Sequence, residues 1–176
     1  MNKILSFAGS NSENSINRTF LKYVCKYLEK DIDYLELRDY NLPIYNIDVE
    51  NKHGHPSDAK LFCEKIKPYK TLIISANEHN GVTSVFFKNF IDWSSRVNNK
   101  FLENKKIFLL STSPGRGGAK MSLNYLEEVL PRFGAEIVSK FSLASFNHSF
   151  TEEEGITDEV QHENFEFALK QFQAHI

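Results

Sequence analysis

Short apolar runs alternate along the chain with longer segments in which apolar and polar residues are mixed. The apolar runs occupy residues 3–8, 33–37, 71–75, 106–111 and 136–143. The runs at 71–75 and 106–111 are almost continuously hydrophobic, which is typical of strands covered on both faces. The run at 33–37 alternates apolar and polar residues and predicts a more exposed strand. The pattern therefore predicts a sheet of five strands.

The segments between these runs carry apolar residues at spacings of three and four, which predicts amphipathic helices. The helical patterns cover residues 16–28, 59–66, 85–97, 121–130 and 165–172. Alternation of strands and helices implies a parallel sheet with helices on both faces. Right-handed crossovers leave few topologies. We predict an α/β fold, a flavodoxin-like three-layer sandwich whose five-stranded parallel sheet has the order 2-1-3-4-5.

The chain has 176 residues, enough for one core and short for two. We therefore predict a single domain over residues 1–176, in which residues 150–176 form a C-terminal helical extension. Three glutamates at 152–154 precede the last helix, and solvation and capping explain them better than metal binding. Residues 39–57 form a predicted loop, and loops of that length are uncommon unless they are functional or covered by a partner.

Charge and cysteine content limit the classes of function. The formal net charge of −2 argues against a non-specific nucleic-acid binder, which needs a basic face. Residues 1–9 lack the plan of a signal peptide, and no apolar stretch approaches the roughly 20 residues of a membrane-spanning helix. Cys25 and Cys63 have no metal-type spacing and are expected to be buried free thiols in a reducing compartment. We expect a cytoplasmic protein without nucleic-acid or membrane partners.

In a sheet of this order, ligands bind beyond the carboxyl ends of the strands, where the strand order reverses. Residues 9–18 follow the first strand, are rich in serine and asparagine, and lead directly into a helix. Backbone N–H groups at a helix N-terminus, joined by Ser and Asn side chains, form a site for a phosphate dianion without any lysine. A plain N-cap is the alternative, but it needs one such side chain, and this segment offers six.

Neither of the two commonest nucleotide fingerprints, G-x-G-x-x-G and G-x-x-x-x-G-K-[ST], occurs in this segment. A mononucleotide with a terminal phosphate remains as the predicted ligand. Residues 76–81 follow the third strand, and residues 113–118 follow the fourth. The glycines of the latter segment allow backbone to approach a flat ligand, although a simple turn explains them equally well.

The three strand-end segments together resemble the NADPH-dependent FMN reductase family, the flavodoxin-like group that includes quinone, azo and chromate reductases. Members show the patterns G-S-x-R-x-x-S-x-N, P-E-Y-N-x-x-x-P-x-x-L-K-N-x-I-D-W and S-x-G-x-G-G. The matching residues are Gly9, Ser10, Ser15, Asn17, Glu78, Asn80, Lys88, Asn89, Ile91, Asp92, Trp93, Ser113, Gly115, Gly117 and Gly118. The resemblance covers nearly the whole chain, and the block at 88–93 makes it specific.

The resemblance implies an FMN-dependent oxidoreductase that takes electrons from NADPH or NADH and passes them to a quinone, an azo compound or a similar small acceptor. FMN carries the redox chemistry itself, so we expect no catalytic residue, and we expect no metal site. The residues expected to bind FMN are Gly9, Ser10, Ser12, Ser15, Ile16, Asn17, Asn77, Glu78, His79, Asn80, Ser113, Gly115, Gly117 and Gly118. Ser and Asn side chains at 10–17 would hold the phosphate, 78–80 would line the flavin, and 113–118 would approach its ring edge.

The resemblance also implies a homodimer, with a tetramer as a further possibility. The helix at 85–97 carries Phe86, Phe87, Phe90 and Trp93 on more than one side, and we expect it to pack near a twofold interface. A thick contact inside the chain's own core is the alternative explanation of these aromatic residues.

The sequence departs from the family patterns at several positions. Ser12 replaces the arginine of the first pattern, which removes a charge-assisted contact to the phosphate. Arg18, in the following helix, is a candidate substitute. Asn77 and His79 replace a proline and a tyrosine, and Ser84 replaces a later proline. His79 is expected either to act on the flavin or to fill an exposed turn.

An electron carrier or FMN-binding regulatory module of the same fold is the alternative function. Carriers of this fold tend to be strongly acidic, and a net charge of −2 is modest, which favours the enzyme. Steady oxidation of NADPH by the purified protein in the presence of a quinone separates the two functions.

Overall fold

The computed structural model describes residues 3–176, so residues 1 and 2 of the predicted domain lie outside the described part. Five parallel strands within it form a sheet of order β2-β1-β3-β6-β7. The strands are β1 (Ile4–Ala8), β2 (Ile32–Tyr34), β3 (Thr71–Ser75), β4 (Glu78–His79), β5 (Val82–Thr83), β6 (Lys105–Thr112), β7 (Ala135–Leu143), β8 (Phe150–Thr151) and β9 (Gly155–Ile156). The helices are α1 (Ile16–Tyr27), α2 (Ile47–His53), α3 (Ser57–Ile66), α4 (Val85–Val97), α5 (Lys120–Val129), α6 (Phe146–Ser149) and α7 (Glu159–Gln173), with 3-10 helices at Leu37–Asp39 and Leu130–Phe133. This arrangement confirms the predicted fold class and strand order.

Alternate residues of each central strand face two separate cores, because successive side chains of a strand point to opposite faces. Leu5 and Phe7 of β1 pack with α3, α4 and α5 on one face of the sheet. Ile4 and Ala8 pack with α1 and α7 on the other face. The continuous apolar runs of the sequence therefore reflect strands that are buried on both sides.

The second strand is shorter than the predicted 33–37 and ends at residue 34. Glu36 interrupts it, because its carboxylate accepts a hydrogen bond from the Arg38 backbone N–H at 3.3 Å. A side chain that bonds the backbone two residues ahead favours a turn over a strand. The chain therefore enters the 3-10 helix at Leu37–Asp39.

The predicted loop at 39–57 contains helix α2, and its first part lies across α4. Asn89 donates from Nδ2 to the carbonyl of Pro43 at 2.9 Å and accepts from the Tyr45 N–H at 2.8 Å. Trp93 donates from Nε1 to the same Pro43 carbonyl at 2.7 Å. The long segment is thus covered by α4 of the same chain.

This cover gives the aromatic residues of α4 contacts within their own chain. Phe87, Phe90 and Trp93 are 3%, 1% and 0% exposed within the single chain. Phe90 packs edge-on against Phe62 of α3, with ring centroids 5.2 Å apart. The alternative explanation, a contact inside the chain's own core, accounts for these three side chains, and only Phe86 is half-buried.

The C-terminal segment completes the second core. Phe165 and Phe172 of α7 are both fully buried. Phe172 stacks on Phe108 of the inner strand β6, with ring centroids 5.0 Å apart. Residues 150–176 therefore cover one face of the sheet, in addition to extending the chain.

Candidate functional site

Three loops begin side by side at the carboxyl edge of the sheet: the first loop (residues 9–15), the second loop (76–81) and the third loop (113–118). The Gly9 N–H donates to the Ser75 carbonyl at 2.8 Å, and the Ala76 N–H donates to the Leu110 carbonyl at 2.8 Å. The parallel hydrogen-bond ladder thus continues one residue beyond β1 and β3. The structure brings the predicted segments together at the place where ligands bind in this topology.

The side chain of Asn17, at the start of α1, links the ends of two strands, β3 and β6. Its Nδ2 donates to the Thr112 carbonyl at 3.0 Å, and its Oδ1 accepts from the Thr112 N–H at 3.0 Å. The same Oδ1 accepts from Ser75 Oγ at 3.1 Å, and the residue is 3% exposed. The side chain expected to hold a phosphate is therefore engaged within the protein. This leaves the backbone N–H of Asn17 for a ligand.

The first loop presents backbone donors that the protein leaves open. Ser15 caps α1, and its Oγ accepts from the Arg18 N–H at 3.3 Å. Ser10 and Ser12 accept in the same way from N–H groups two residues ahead, each at 3.3 Å. A hydroxyl that accepts still has its own proton to donate. Within residues 3–176, the backbone N–H groups without an acceptor in this segment are those of Ser10, Asn11, Glu13, Ser15, Ile16 and Asn17.

Such a set of donors can hold an anion. The first N–H groups of a helix have no partner inside the helix, and the helix dipole adds partial positive charge at this end. Phosphates bind at helix N-termini for both reasons. The geometry thus supports more than the plain N-cap of Ser15.

Arg18 reaches the back of the first loop. Its Nη2 donates to the Ser12 carbonyl and its Nη1 to the Glu13 carbonyl at 3.4 Å. Its Nε lies 3.6 Å from a carboxylate oxygen of Glu36, and the Arg18 side chain is 11% exposed. The candidate substitute for the missing arginine is therefore a buried contact of the loop backbone.

Gly9 is required by packing against α4. A Cβ added at Gly9 would lie 2.7 Å from Cγ of Phe87. The Gly9 carbonyl accepts from Ser84 Oγ at 2.9 Å, and the same Oγ accepts from the Phe87 N–H at 3.2 Å. Ser84, which stands where the family has a proline, thus caps α4 and ties it to the first loop.

The second loop contains a two-residue turn that the sequence analysis missed. Asn80 and Gly81 have φ angles of +52° and +82° and join the antiparallel strands β4 and β5. An Asn-Gly pair is the usual signal of this hairpin turn, because both positions need positive φ. His79 and Asn80 are exposed on the hairpin.

The carboxylate of Glu78 caps α5. It accepts from the Ser122 N–H at 3.1 Å, whereas Ala119, at the N-cap position of α5, makes no side-chain cap. Asn77 is 9% exposed, and its Nδ2 lies 3.3 Å from Nε2 of His79. Its Oδ1 has no hydrogen-bond partner among residues 3–176. The loop therefore contributes backbone, Asn77 and exposed polar groups to the site, while the Glu78 side chain serves the scaffold.

The glycines of the third loop have two different functions. Gly118 has a φ of +59°, and a Cβ there would lie 2.3 Å from Ser142 Oγ. At Gly117 an added Cβ would meet no atom within 4 Å, and at Gly115 it would meet only Ser113 Oγ, at 4.0 Å. Gly118 is thus required by the fold, whereas Gly115 and Gly117 leave open space beside the backbone, as a close-lying ligand needs.

Exposed apolar side chains adjoin the second loop. Val82, Val85 and Met121 are 53%, 67% and 62% exposed. Cε of Met121 lies 3.2 Å from the position of a Cβ on Gly81. Together with the open donors and the open glycines, this apolar rim (Val82, Val85 and Met121) gives a site that fits a flat, phosphorylated ligand.

Within residues 3–176, no helix is both long and apolar enough to cross a membrane. In the same part of the chain, His, Cys, Asp and Glu side chains do not gather in groups of three that could hold a metal ion.

Comparison with known proteins matches residues 2–148 to the NADPH-dependent FMN reductase family. An uncharacterised protein of Mycoplasma pneumoniae, described as an MG342 homolog, is 32% identical over 85% of this chain and 91% of its own length. An NADPH:quinone oxidoreductase of Arabidopsis thaliana is 25% identical over 98% of this chain and 90% of its own. The solved structure of FerB, a flavoenzyme NAD(P)H:(acceptor) oxidoreductase from Paracoccus denitrificans, superposes with a TM-score of 0.76 at 22% identity and covers 98% of this chain and 96% of its own. This last likeness shows the fold.

Proposed function

The chain belongs to the NADPH-dependent FMN reductase family, and on that premise we propose that it binds FMN and oxidises NADPH or NADH with a quinone or a similar small acceptor. The open backbone donors of the first loop, at the N-terminus of α1, are the observation that carries this proposal. They lie at the same sheet edge as the open glycines of the third loop, so one molecule with a phosphate and a flat ring can use both.

The first loop would hold the phosphate of FMN. Ser10, Ser12 and Ser15 have hydroxyl protons to donate, and Ile16 and Asn17 have open N–H groups. The helix dipole supplies part of the charge that the family arginine supplies elsewhere. Gly9 belongs to the site through the turn it allows next to Phe87.

The second and third loops would border the flavin ring. Asn77 offers an Oδ1 that has no partner in the described part of the chain, and His79 and Asn80 are exposed at the turn. Gly115 and Gly117 let the backbone come close to the ring. When bound, FMN supplies the hydride chemistry through its N5, so the protein need only bind, orient and shield.

The apolar rim favours a quinone as acceptor. A quinone is flat and largely apolar, and Val82, Val85 and Met121 offer apolar contact without charge beside the second loop. The activity named for the Arabidopsis relative supports the same class. Turnover with NADPH and with NADH, each compared by kcat/KM, decides the donor.

We extend the proposal to a homodimer. The buried aromatic residues of α4 do not support a dimer. On the segment that covers α4, however, the exposed fractions of Ile44, Ile47 and Val49 are 69%, 49% and 36%. Neighbouring exposed apolar residues mark interaction surfaces. Light scattering at micromolar concentration should give twice the 20.3 kDa mass of the chain, and a value of one chain mass would contradict the dimer.

We also place the protein in the cytoplasm. Cys63 is a buried free thiol and Cys25 a partly buried one. Burial raises the pKa of both thiols, which keeps them protonated and unreactive. Structural thiols of this kind fit a reducing compartment.

Titration of the purified apoprotein with FMN tests the proposal. We expect saturable binding of near one FMN per chain, weaker binding of riboflavin, and steady NAD(P)H oxidation on addition of a quinone. Binding without NAD(P)H turnover would indicate an electron carrier. A titration without saturation would refute the flavin site.

A further inference from the structure

We propose that Arg18 is a positioning residue that gives the first loop its phosphate-binding shape, with Glu36 holding it in place. The inference rests on the proposed FMN site. It assigns this role to a side chain that faces away from the open side of the loop, at the position after the family pattern ends.

Arg18 holds the second half of the first loop, residues 12–15. Its guanidinium donates to the carbonyls of Ser12 and Glu13, and its backbone N–H donates to Ser15 Oγ at 3.3 Å. A planar guanidinium presents several donors in a fixed arrangement, so it can hold two adjacent carbonyls at once. The hydrogen bonds of Arg18 thus hold the chain from residue 12 to the start of α1.

Because the peptide group is planar, this contact also sets the direction of an N–H group on the side of the loop away from Arg18. In a trans peptide the carbonyl oxygen and the following N–H point in opposite directions. The Ser12 carbonyl points to Arg18, so the Glu13 N–H points away from Arg18. That N–H is one of the open donors. Arg18 thus aims a donor of the first loop outward without contacting a ligand.

Glu36 forms an ion pair with the guanidinium and compensates its charge. Its carboxylate lies 3.6 Å from Arg18 Nε and 3.3 Å from Nη2 of Arg38. The Arg18 side chain is 11% exposed and that of Arg38 is 32% exposed. Arg38 shares the carboxylate but makes no hydrogen bond or ion pair with the first loop among the described residues, so it is a matched control.

The test compares FMN with riboflavin, which differ in the phosphate. We expect Arg18→Met to weaken FMN binding about tenfold, the loss typical of a charged hydrogen-bond pair, and riboflavin binding less than about twofold. Arg38→Met should change both affinities less than about twofold. Flavin fluorescence titration gives the affinities, and thermal unfolding shows that each variant is folded.

If Arg18→Met does not fold, Arg18→Lys takes its place. An ammonium can hold one carbonyl where the guanidinium holds two, and we expect an FMN-specific loss of about threefold. If the variant binds FMN and riboflavin with the same ratio of affinities as the wild type, the inference is overturned, while the flavin site remains intact. A wild-type protein that binds no FMN would overturn the proposed function and this inference with it.

Discussion

At the scale of single residues, Ser15 combines the cap of α1 with a predicted phosphate contact. Its Oγ accepts from the Arg18 N–H, and Asp and Asn fill the same cap position well. In Ser15→Asp a carboxylate faces the phosphate dianion, so we expect FMN to lose at least about 2 kcal/mol of binding free energy, about thirtyfold, with riboflavin little changed.

Ser15→Asn is the matched control for this substitution, since it has the shape of aspartate without its charge. Both variants should unfold at nearly the same temperature. If the two bind FMN equally well, Ser15 does not face the phosphate.

Gly117 and Gly118 are neighbours with opposite expected responses to alanine. Gly118→Ala places a Cβ 2.3 Å from Ser142 Oγ at a φ of +59°, so we expect a loss of at least about 2 kcal/mol in the free energy of unfolding. Gly117→Ala enters open space and should change stability by less than about 0.5 kcal/mol while weakening FMN binding. Denaturant unfolding and FMN titration of both variants measure the contrast. Unchanged FMN affinity in Gly117→Ala would place the ring elsewhere.

The composition of the loops predicted a binding site, but not the destination of each side chain. Six Ser and Asn residues pointed to an anion, and the first loop has the open donors that an anion needs. The side chains of Asn17 and Glu78 were expected to contact the ligand, yet the Asn17 amide bonds Thr112 and the Glu78 carboxylate caps α5. Both roles depend on residues distant in sequence, which local patterns do not contain.

At the scale of elements, a hydrogen bond holds the edge strand β2 to the start of β3. Tyr69 donates to the Asp33 carboxylate at 2.6 Å, which raises the pKa of Tyr69 to about 12. The same bond is the largest cause of the lowered pKa of Asp33. The folded protein thus favours neutral Tyr69 and ionised Asp33.

The contribution of this pair to the free energy of unfolding should decrease at high pH and at low pH. The folded pKa of Tyr69 lies above its ordinary value of 10.0, so its contribution is complete below pH 10 and is lost as pH rises to about 12. The folded pKa of Asp33 lies below 3.8, so its contribution is present above that pH and is lost as pH falls through the folded pKa. In Tyr69→Phe both dependences should weaken, as thermal unfolding across pH measures. A profile identical to wild type would contradict the linkage.

Helix α7 offers a comparison between a buried and an exposed phenylalanine. Phe172 is 0% exposed and stacks on Phe108, whereas Phe167 on the same helix is 65% exposed. We expect Phe172→Ala to cost about 3–5 kcal/mol of unfolding free energy and Phe167→Ala less than about 0.5 kcal/mol. Denaturant unfolding checks both values. Similar small losses would show that residues 150–176 are a dispensable extension.

The five sheet strands and five long helices were predictable because each repeats its own hydrophobic period over several residues. Helix α2 and the β4–β5 hairpin were not predicted. Helix α2 buries no residue, so no apolar stripe marks it. The hairpin has two residues in each strand, too few for alternation to show, although Asn80-Gly81 was an available signal.

At the scale of the whole molecule, topology and family were predictable from the order of elements and from three motifs, and oligomeric state was not. The four aromatic residues of α4 suggested an interface, but Asn89 and Trp93 hold the segment at Pro43 over that helix. Apolar residues on more than one side of a helix do not show whether they are buried by the same chain or by a second chain.

The side chain of Asn17 has a consequence for how a cofactor enters. Its three hydrogen bonds all go to protein groups, so we expect the ends of β3 and β6 to keep their arrangement with or without a ligand. Binding then orders little of the chain, so this protein should lose less conformational entropy on association than a flexible receptor does. We expect Asn17→Ala to slow FMN association and to make the binding entropy less favourable, as stopped-flow mixing and calorimetry measure, because the chain must then be ordered by each arriving molecule. An association rate equal to wild type would mean that the loops hold their arrangement without this amide. We therefore expect the native protein to present a site that already has its shape before the cofactor arrives.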